Sequence, residues 1–328
     1  MEEVNEKYID KEDDISNTPY DDAFRTMMGK SGNLRLAFMN EMFHLSEPIK
    51  PGARIDETVN EYFIEQGNGK QRKVITDNVL HINGRTYHIE CQTLPDGAIL
   101  VRMFEYDMAI GLKESTYEDY HLTINVPASG VLFLKATKKI PEEMTVTINT
   151  VGGCVEYPVK TMKLSDYTLD DLINKDLLFL FPFYIFNLES EIKTYDKKES
   201  RTRVVNSITE LLEYVNEMYN DKKLTFDKYL LLTDMIRKVA DNLSEKYDNA
   251  RKEIDEIMGG KILEFKGEKI YNEGKKDGKI EELLGMAYDH TISVETAADR
   301  ALAKYDIPKD QFMKMLKTYK PDEDLMQG

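Results

Sequence analysis

Between residues 20 and 42 the apolar positions fall three to four apart, at Phe24, Met27, Met28, Leu34, Phe38 and Met42. That spacing predicts helix with one buried stripe. Gly29 and Gly32 interrupt it, so two helices are expected rather than one. "KPGAR" at 50–54 ends the helical pattern, residues 55–66 alternate loosely toward Tyr62 and Phe63 as a strand would, and "GNGK" at 67–70 turns the chain. The next stretch, "VITDNVLHINGRTYHIECQ" from Val74 to Gln92, carries two β-rich runs on either side of Asn83-Gly84. Asn-Gly is the strongest short hairpin signal, because a two-residue type I′ turn needs positive φ at both central positions. "PDG" at 95–97 closes the second run. Residues 98–115 return to helical spacing, with Leu100, Met103, Phe104, Met108 and Ile110 expected inside, and residues 121–137 look like strand around a Pro-Ala-Ser-Gly interruption. The predicted order is helix, three strands, helix, strand.

Further along, residues 144–159 predict a hairpin turning at Gly152-Gly153. "LLFLFPFYIF" at 177–186 is apolar throughout, so its period assigns it to neither helix nor strand. From Arg201 the pattern becomes that of amphipathic helices, charged and extended over 245–280, with "GKKDGK" at 274–279 as a joint. Two short helices should close the chain, the first capped by Ser293 and the pair divided near Ile307-Pro308. The expected organisation is an acidic tail over 1–18, an α/β domain over 19–195 and an α-helical C-terminal region over 196–328.

Composition narrows this picture. With 328 residues and 41% apolar content the chain can bury one large core or two ordinary ones. Two cysteines, Cys91 and Cys154, make no disulfide framework and suggest a reducing compartment. The acidic start has no apolar stretch of the signal-peptide kind, and the longest apolar run contains a proline and is too short to span a bilayer, so a cytoplasmic protein without a membrane partner is expected. A net charge of −16 argues against a basic nucleic-acid-binding surface, but it leaves room for a local groove or for acids that bind phosphate through a metal ion.

The hairpin raises a chemical question. A two-residue Asn83-Gly84 loop sets Ile82 opposite Arg85, which puts Asp77 opposite Glu90 and Ile75 opposite Gln92. Directly opposed Cβ atoms lie about 4.5–5.5 Å apart. Two carboxylates about 5 Å apart at an effective dielectric near 20 repel by roughly 3 kcal/mol. Splayed exposed side chains, a shared proton, a cationic side chain or a metal ion would each offset that. Oxygen-rich sites of this kind suit Mg²⁺ or Mn²⁺. A bulged loop would slip the register by one and separate the pair.

Asp77, followed through the hairpin by Glu90-Cys91-Gln92, resembles the Asp…Glu-X-Lys/Gln signature of PD-(D/E)XK nucleases. "DDAFRTMMGKSGNLRLAFMNEMF" before it and "ECQTLPDGAILVRMFEYDMAI" through it are similar to the recombination-promoting nuclease and putative transposase family of that superfamily. The resemblance covers about residues 20–190, and "ISVETAADRALAKYDIPKDQFMKML" extends it more loosely to the tail. It implies a restriction-endonuclease-like core and Mg²⁺-dependent (or Mn²⁺-dependent) hydrolysis of DNA phosphodiesters, linked to recombination or transposition. Asp77 and Glu90 would ligate the metal with the Cys91 carbonyl. Gln92 stands where many relatives carry lysine; it can orient water or the scissile phosphate but brings no charge. Thr76 replaces the proline of the nominal motif. An acid on the first helix would complete the site, Asp21 or its neighbour Asp22. Arg102, four residues before Tyr106, would grip a phosphate, the plainer alternative being an arginine packed along a tyrosine.

Other features carry simpler alternatives. His88 shares the strand face of Glu90 and is either a general base or an ordinary sheet histidine. Cys91 should point to the opposite face, into a core. Lys70, Arg72, Lys73, Lys135, Lys138 and Lys139 flank a DNA groove or are solvated loop charges. Residues 293–320 hold six basic and four acidic side chains, which suits a packing or homo-oligomer unit better than a helix-turn-helix. Two alternatives to a nuclease remain: a nuclease-like nucleic-acid-binding or regulatory protein with weak or no turnover, and an assembly protein built on the C-terminal helices.

Overall fold

The first apolar stripe forms two helices, α1 (Pro19–Lys30) and α2 (Leu34–Phe43), separated at Gly32, whose φ of +58° suits a residue without a Cβ. Asp21 and Asp22 in the first turn of α1 and Lys30 in its last complement the helix dipole. The computed structural model describes residues 19–57, 61–65, 71–75, 78–95, 97–137, 139–288, 291–305 and 307–319, with backbone alone at 57, 61–65, 71–75 and 260–278.

The region expected as one strand over 55–66 is divided into β1 (Ile55–Glu57) and β2 (Glu61–Glu65). The following β-rich run also divides, into β3 (Gln71–Ile75) and β4 (Asn78–Ile82), before β5 (Arg85–Gln92). β2 and β3 pair with each other in a two-stranded sheet of their own, with Ile75 opposite Glu61. The expected pairing of Ile75 with Gln92 is therefore not formed: a strand near in sequence takes β3 as its partner, the commoner outcome for neighbouring strands. β4 and β5 hold the register set by the turn, Ile82 opposite Arg85 and Val79 opposite His88. Asn83 at φ +50° and Gly84 at φ +80° make the two-residue connection. Thr76 and Asp77 lie outside the described residues.

After β5 come α3 (Ile99–Lys113), the short hairpin of β6 (Thr116–Glu118) and β7 (His121–Thr123), then β8 (Ala128–Phe133), β9 (Glu143–Thr150) and β10 (Gly153–Lys163). Ala128, Ser129 and Gly130, expected to interrupt a strand, instead open β8. Thr150 pairs with Gly153, so the last hairpin turns at Val151-Gly152, one residue earlier than expected; Gly153 takes φ +142° within the ladder. The main sheet is six-stranded and mixed, in the order β1-β4-β5-β8-β10-β9, with β5, β8 and β10 parallel. Parallel neighbours need a crossover, and α3 supplies it between β5 and β8.

Helices cover both faces. On one, Ile99 and Met103 of α3 pack against Val131, Phe133 and Val159, and Ile110 against Val79. On the other, Phe43 of α2 meets Tyr87 at 5.0 Å between ring centroids. There a Cβ on Gly130 would stand 2.7 Å from Met42 Sδ and 3.3 Å from the Phe43 ring. Gly130→Val should therefore cost about 1–3 kcal/mol of stability, measured by urea titration.

"LLFLFPFYIF" folds as short helical turns around α5 (Phe181–Tyr184), after α4 (Leu169–Asn174) and before α6 (Glu189–Lys193), and each of its residues is buried. Burial on all sides removes the periodicity that would have identified it. Phe38 stacks on Phe179 at 4.4 Å and Phe24 meets both. Two long helices follow, α7 (Lys198–Asn220) and α8 (Phe226–Ser244), the latter against α1 and α5. The first of two compact units runs to Met258 and includes both.

The second unit begins at Gly259, within α9 (Asp248–Tyr288), which continues through Gly274–Lys279 where a joint was expected; lysine and glutamate neighbours favour helix enough to carry the glycines. α10 (Val294–Tyr305) is capped by Ser293, whose Oγ accepts from the Thr296 N–H at 3.1 Å, and α11 (Lys309–Thr318) starts after Pro308. Ala297, Ala301 and Phe312 form its core with Ile280 and Leu284. Among the described residues no helix is long and apolar enough to cross a membrane.

Candidate functional site

Strand alternation puts Thr86, His88, Glu90 and Gln92 of β5 on the face that α3 covers. The buried stripe of α3 is Ile99, Met103, Asp107, Ile110 and Gly111, while Leu100, Phe104 and Met108 are only half-buried. The helix is thus rotated from its expected setting, because packing on β8 and β10 selects the Ile99–Met103 edge, and this brings an acid inside.

Asp107 is fully buried and makes three contacts with three strands. Its Oδ1 lies 2.7 Å from Nδ1 of His88 on β5 and accepts from the hydroxyl of Ser129 on β8 at 2.6 Å. Its Oδ2 accepts from Tyr157 on β10 at 3.4 Å. His88, also 0% exposed, has Nε2 3.0 Å from Oε1 of Glu90. One imidazole therefore bridges two carboxylates. Burial alone would lower its pKa, but the hydrogen bonds from Asp107 and Glu90, and their negative charge, outweigh that and raise it to about 9. His88 is a cation at neutral pH, and both ring nitrogens donate. Burial, then the charge of Asp107, pushes the Tyr157 phenol up, so it remains a donor.

At the carboxyl end of β5, Arg102 Nη2 donates to Gln92 Oε1 at 2.9 Å. Tyr106, one turn along α3, lies with its ring centroid 5.9 Å from that of His88. Toward the other end, Thr86, His81 and Glu114 form a separate polar group, each pair about 3.0 Å apart. A cleft of about 600 Å³ opens there, at the amino ends of β5 and β8, and Ser129 and Tyr157 line it.

The structure thus brings together Glu90, Gln92 and Arg102 of the expected site. Cys91 is buried, and its side chain alternates onto the α2 face with Tyr87. Asp77 lies outside the described residues. Asp21 and Asp22 are half-buried in the first turn of α1, and Asp22 pairs with Lys238 of α8 at 3.6 Å. That end of α1 is tied toward the carboxyl edge of the sheet. Tyr20 packs edge-on against Phe186 at 4.8 Å, Lys135 lies over the same ring, and the Lys135 N–H donates to the Thr93 carbonyl. Lys135 also pairs with Glu189 at 2.7 Å, so it is not a solvated loop charge. Lys70 and Lys138 fall outside the described residues, as do the side chains of Arg72 and Lys73.

Glu90 offers the hard oxygen donor that Mg²⁺ or Mn²⁺ takes. Among the described residues no three His, Cys, Asp or Glu side chains converge as a metal-binding group. The residues that carry chemistry here and were missing from the sequence expectation are Asp107, Ser129 and Tyr157. Asp107 left one signal: it falls at helical spacing between Met103 and Ile110, on a stripe that should be apolar. No protein-family model, curated protein or solved structure matches the chain.

Proposed function

We propose that the protein is a divalent-metal-dependent nuclease of the PD-(D/E)XK kind, hydrolysing DNA phosphodiester bonds. The observation that carries this is the grouping of Glu90, Gln92 and Arg102 at the carboxyl end of the central parallel strand, where ligands of open α/β sheets bind. The element order supports it: helix, then β1, β4 and β5 as an antiparallel run, then the α3 crossover to parallel β8. β2 and β3 are an excursion within that core.

In this proposal Glu90, Asp77 and the Cys91 carbonyl hold the metal, and an acid at the start of α1 completes the set. The bound ion would neutralise charge on the phosphodiester and favour ionisation of an attacking water. Gln92 would orient that water through its amide, which is held by Arg102. A guanidinium at this position also faces a phosphate favourably. One specific observation favours a second possibility. His88 and Arg102 already give Glu90 and Gln92 internal partners, as they would in a nuclease-like protein that binds nucleic acid without cutting it.

Supercoiled plasmid with Mg²⁺ or Mn²⁺ separates the two. The nuclease should nick or linearise it, and Asp77→Ala or Glu90→Gln should lower the rate roughly a hundredfold or more, the scale of lost transition-state charge stabilisation. Plasmid binding without cutting by the wild type supports the second possibility. Cutting that persists in both variants overturns the site.

A further inference from the structure

Glu90 cannot be fixed by β5 alone, since its side chain has three rotatable bonds and a metal-binding carboxylate must be held to about 0.5 Å. The structure supplies a rigid link. His88 lies two residues earlier on the same strand face, with Nε2 3.0 Å from Glu90 Oε1 and Nδ1 2.7 Å from Asp107 Oδ1. The ring is a flat spacer with a donor at each end. Asp107 is held in turn by Ser129 at 2.6 Å and Tyr157 at 3.4 Å, on two further strands.

We propose that Asp107 and His88 are positioning residues that hold the Glu90 carboxylate, through one of its oxygens, in the orientation a divalent cation requires. The inference rests on the nuclease proposal above and deepens it. Outer partners that orient a ligand in this way typically matter 10–100-fold to metal affinity, an order-of-magnitude figure for such pairs. Neither residue needs to touch substrate for this role.

Two substitutions isolate geometry from charge. His88→Gln and His88→Asn both remove the ring and its charge. The amide nitrogen of glutamine comes where imidazole Nε2 stands, facing Glu90; that of asparagine comes where Nδ1 stands, facing Asp107. Mn²⁺ binding to the full-length protein without DNA, followed by electron paramagnetic resonance, gives a readout independent of cleavage, and urea titration shows whether each variant is folded. H88Q should bind Mn²⁺ at least about tenfold more tightly than H88N at comparable stability. If H88N does not fold, His88→Met, of similar length and without a donor, takes its place with the same expected gap. Equal Mn²⁺ affinity in the paired variants, beside a wild type that binds, overturns the positioning role and leaves the nuclease proposal standing. A wild type that binds no Mn²⁺ overturns the cation site itself.

Discussion

Asp107→Ala should lower the free energy of unfolding by about 3–5 kcal/mol, the cost of removing one partner from a buried ion pair. The loss is large because the truncation strands more than one group. His88 keeps its charge with Glu90 alone, and the Ser129 and Tyr157 hydroxyls lose the acceptor they share. No side chain larger than a methyl remains at a position that is 0% exposed, so water has little access to replace the lost contacts. Ser129→Ala is the calibrating variant, as it deletes one donor and leaves the ion pair intact, at about 1 kcal/mol. Urea titrations at neutral pH, followed by far-ultraviolet circular dichroism, measure both. If Asp107→Ala costs no more than Ser129→Ala, the imidazole is held by some other means and the bridge is incidental.

The same cluster shows where sequence patterning stops. The β4–β5 hairpin is legible because its determinants are local: Asn83 and Gly84 take the positive φ values that a two-residue turn needs, and that turn alone sets Val79 against His88. Glu90 and Gln92 follow from it by alternation, and Arg102 by its helical phase. Asp107 does not follow, because counting apolar residues assigned Leu100, Phe104 and Met108 to the core and left an acid to the surface. What overrides that count is a partner 19 positions away that supplies the opposite charge. The division of the run at 71–82 is illegible for a related reason: β3 pairs with β2 and β4 with β1 and β5, a competition between partners that composition cannot rank. The apolar segment at 177–186 fails differently, since burial on every side leaves no contrast to read. The electrostatic problem posed by the hairpin did contain its answer among the four offsets, as a cationic side chain, but the cation is two residues from Glu90 on its own strand.

That cation makes stability depend on alkaline pH. Folded His88 titrates near 9, against 6.5 for an ordinary histidine. Below pH 6.5 both folded and unfolded chains carry the proton, and the stabilisation is fully present. Between 6.5 and 9 the unfolded chain has lost a proton that the folded chain still holds, so raising the pH favours unfolding, by up to about 1.4 kcal/mol for each pH unit. The total loss is on the order of 3 kcal/mol, and above pH 9 this contribution is flat. The groups facing the ring account for the direction: Glu90 and Asp107 are anionic partners, Tyr157 donates to Asp107 and stays protonated, and Tyr106 presents only its ring. Other cysteines, tyrosines and histidines titrate in the same window, so the quantity to measure is the difference between wild type and His88→Gln, in EDTA to keep divalent metal from Glu90. That difference should shrink steadily from pH 6.5 to 9. A gap that stays constant across this range would mean that the imidazole is buried neutral, and the two carboxylates would then need another source of positive charge.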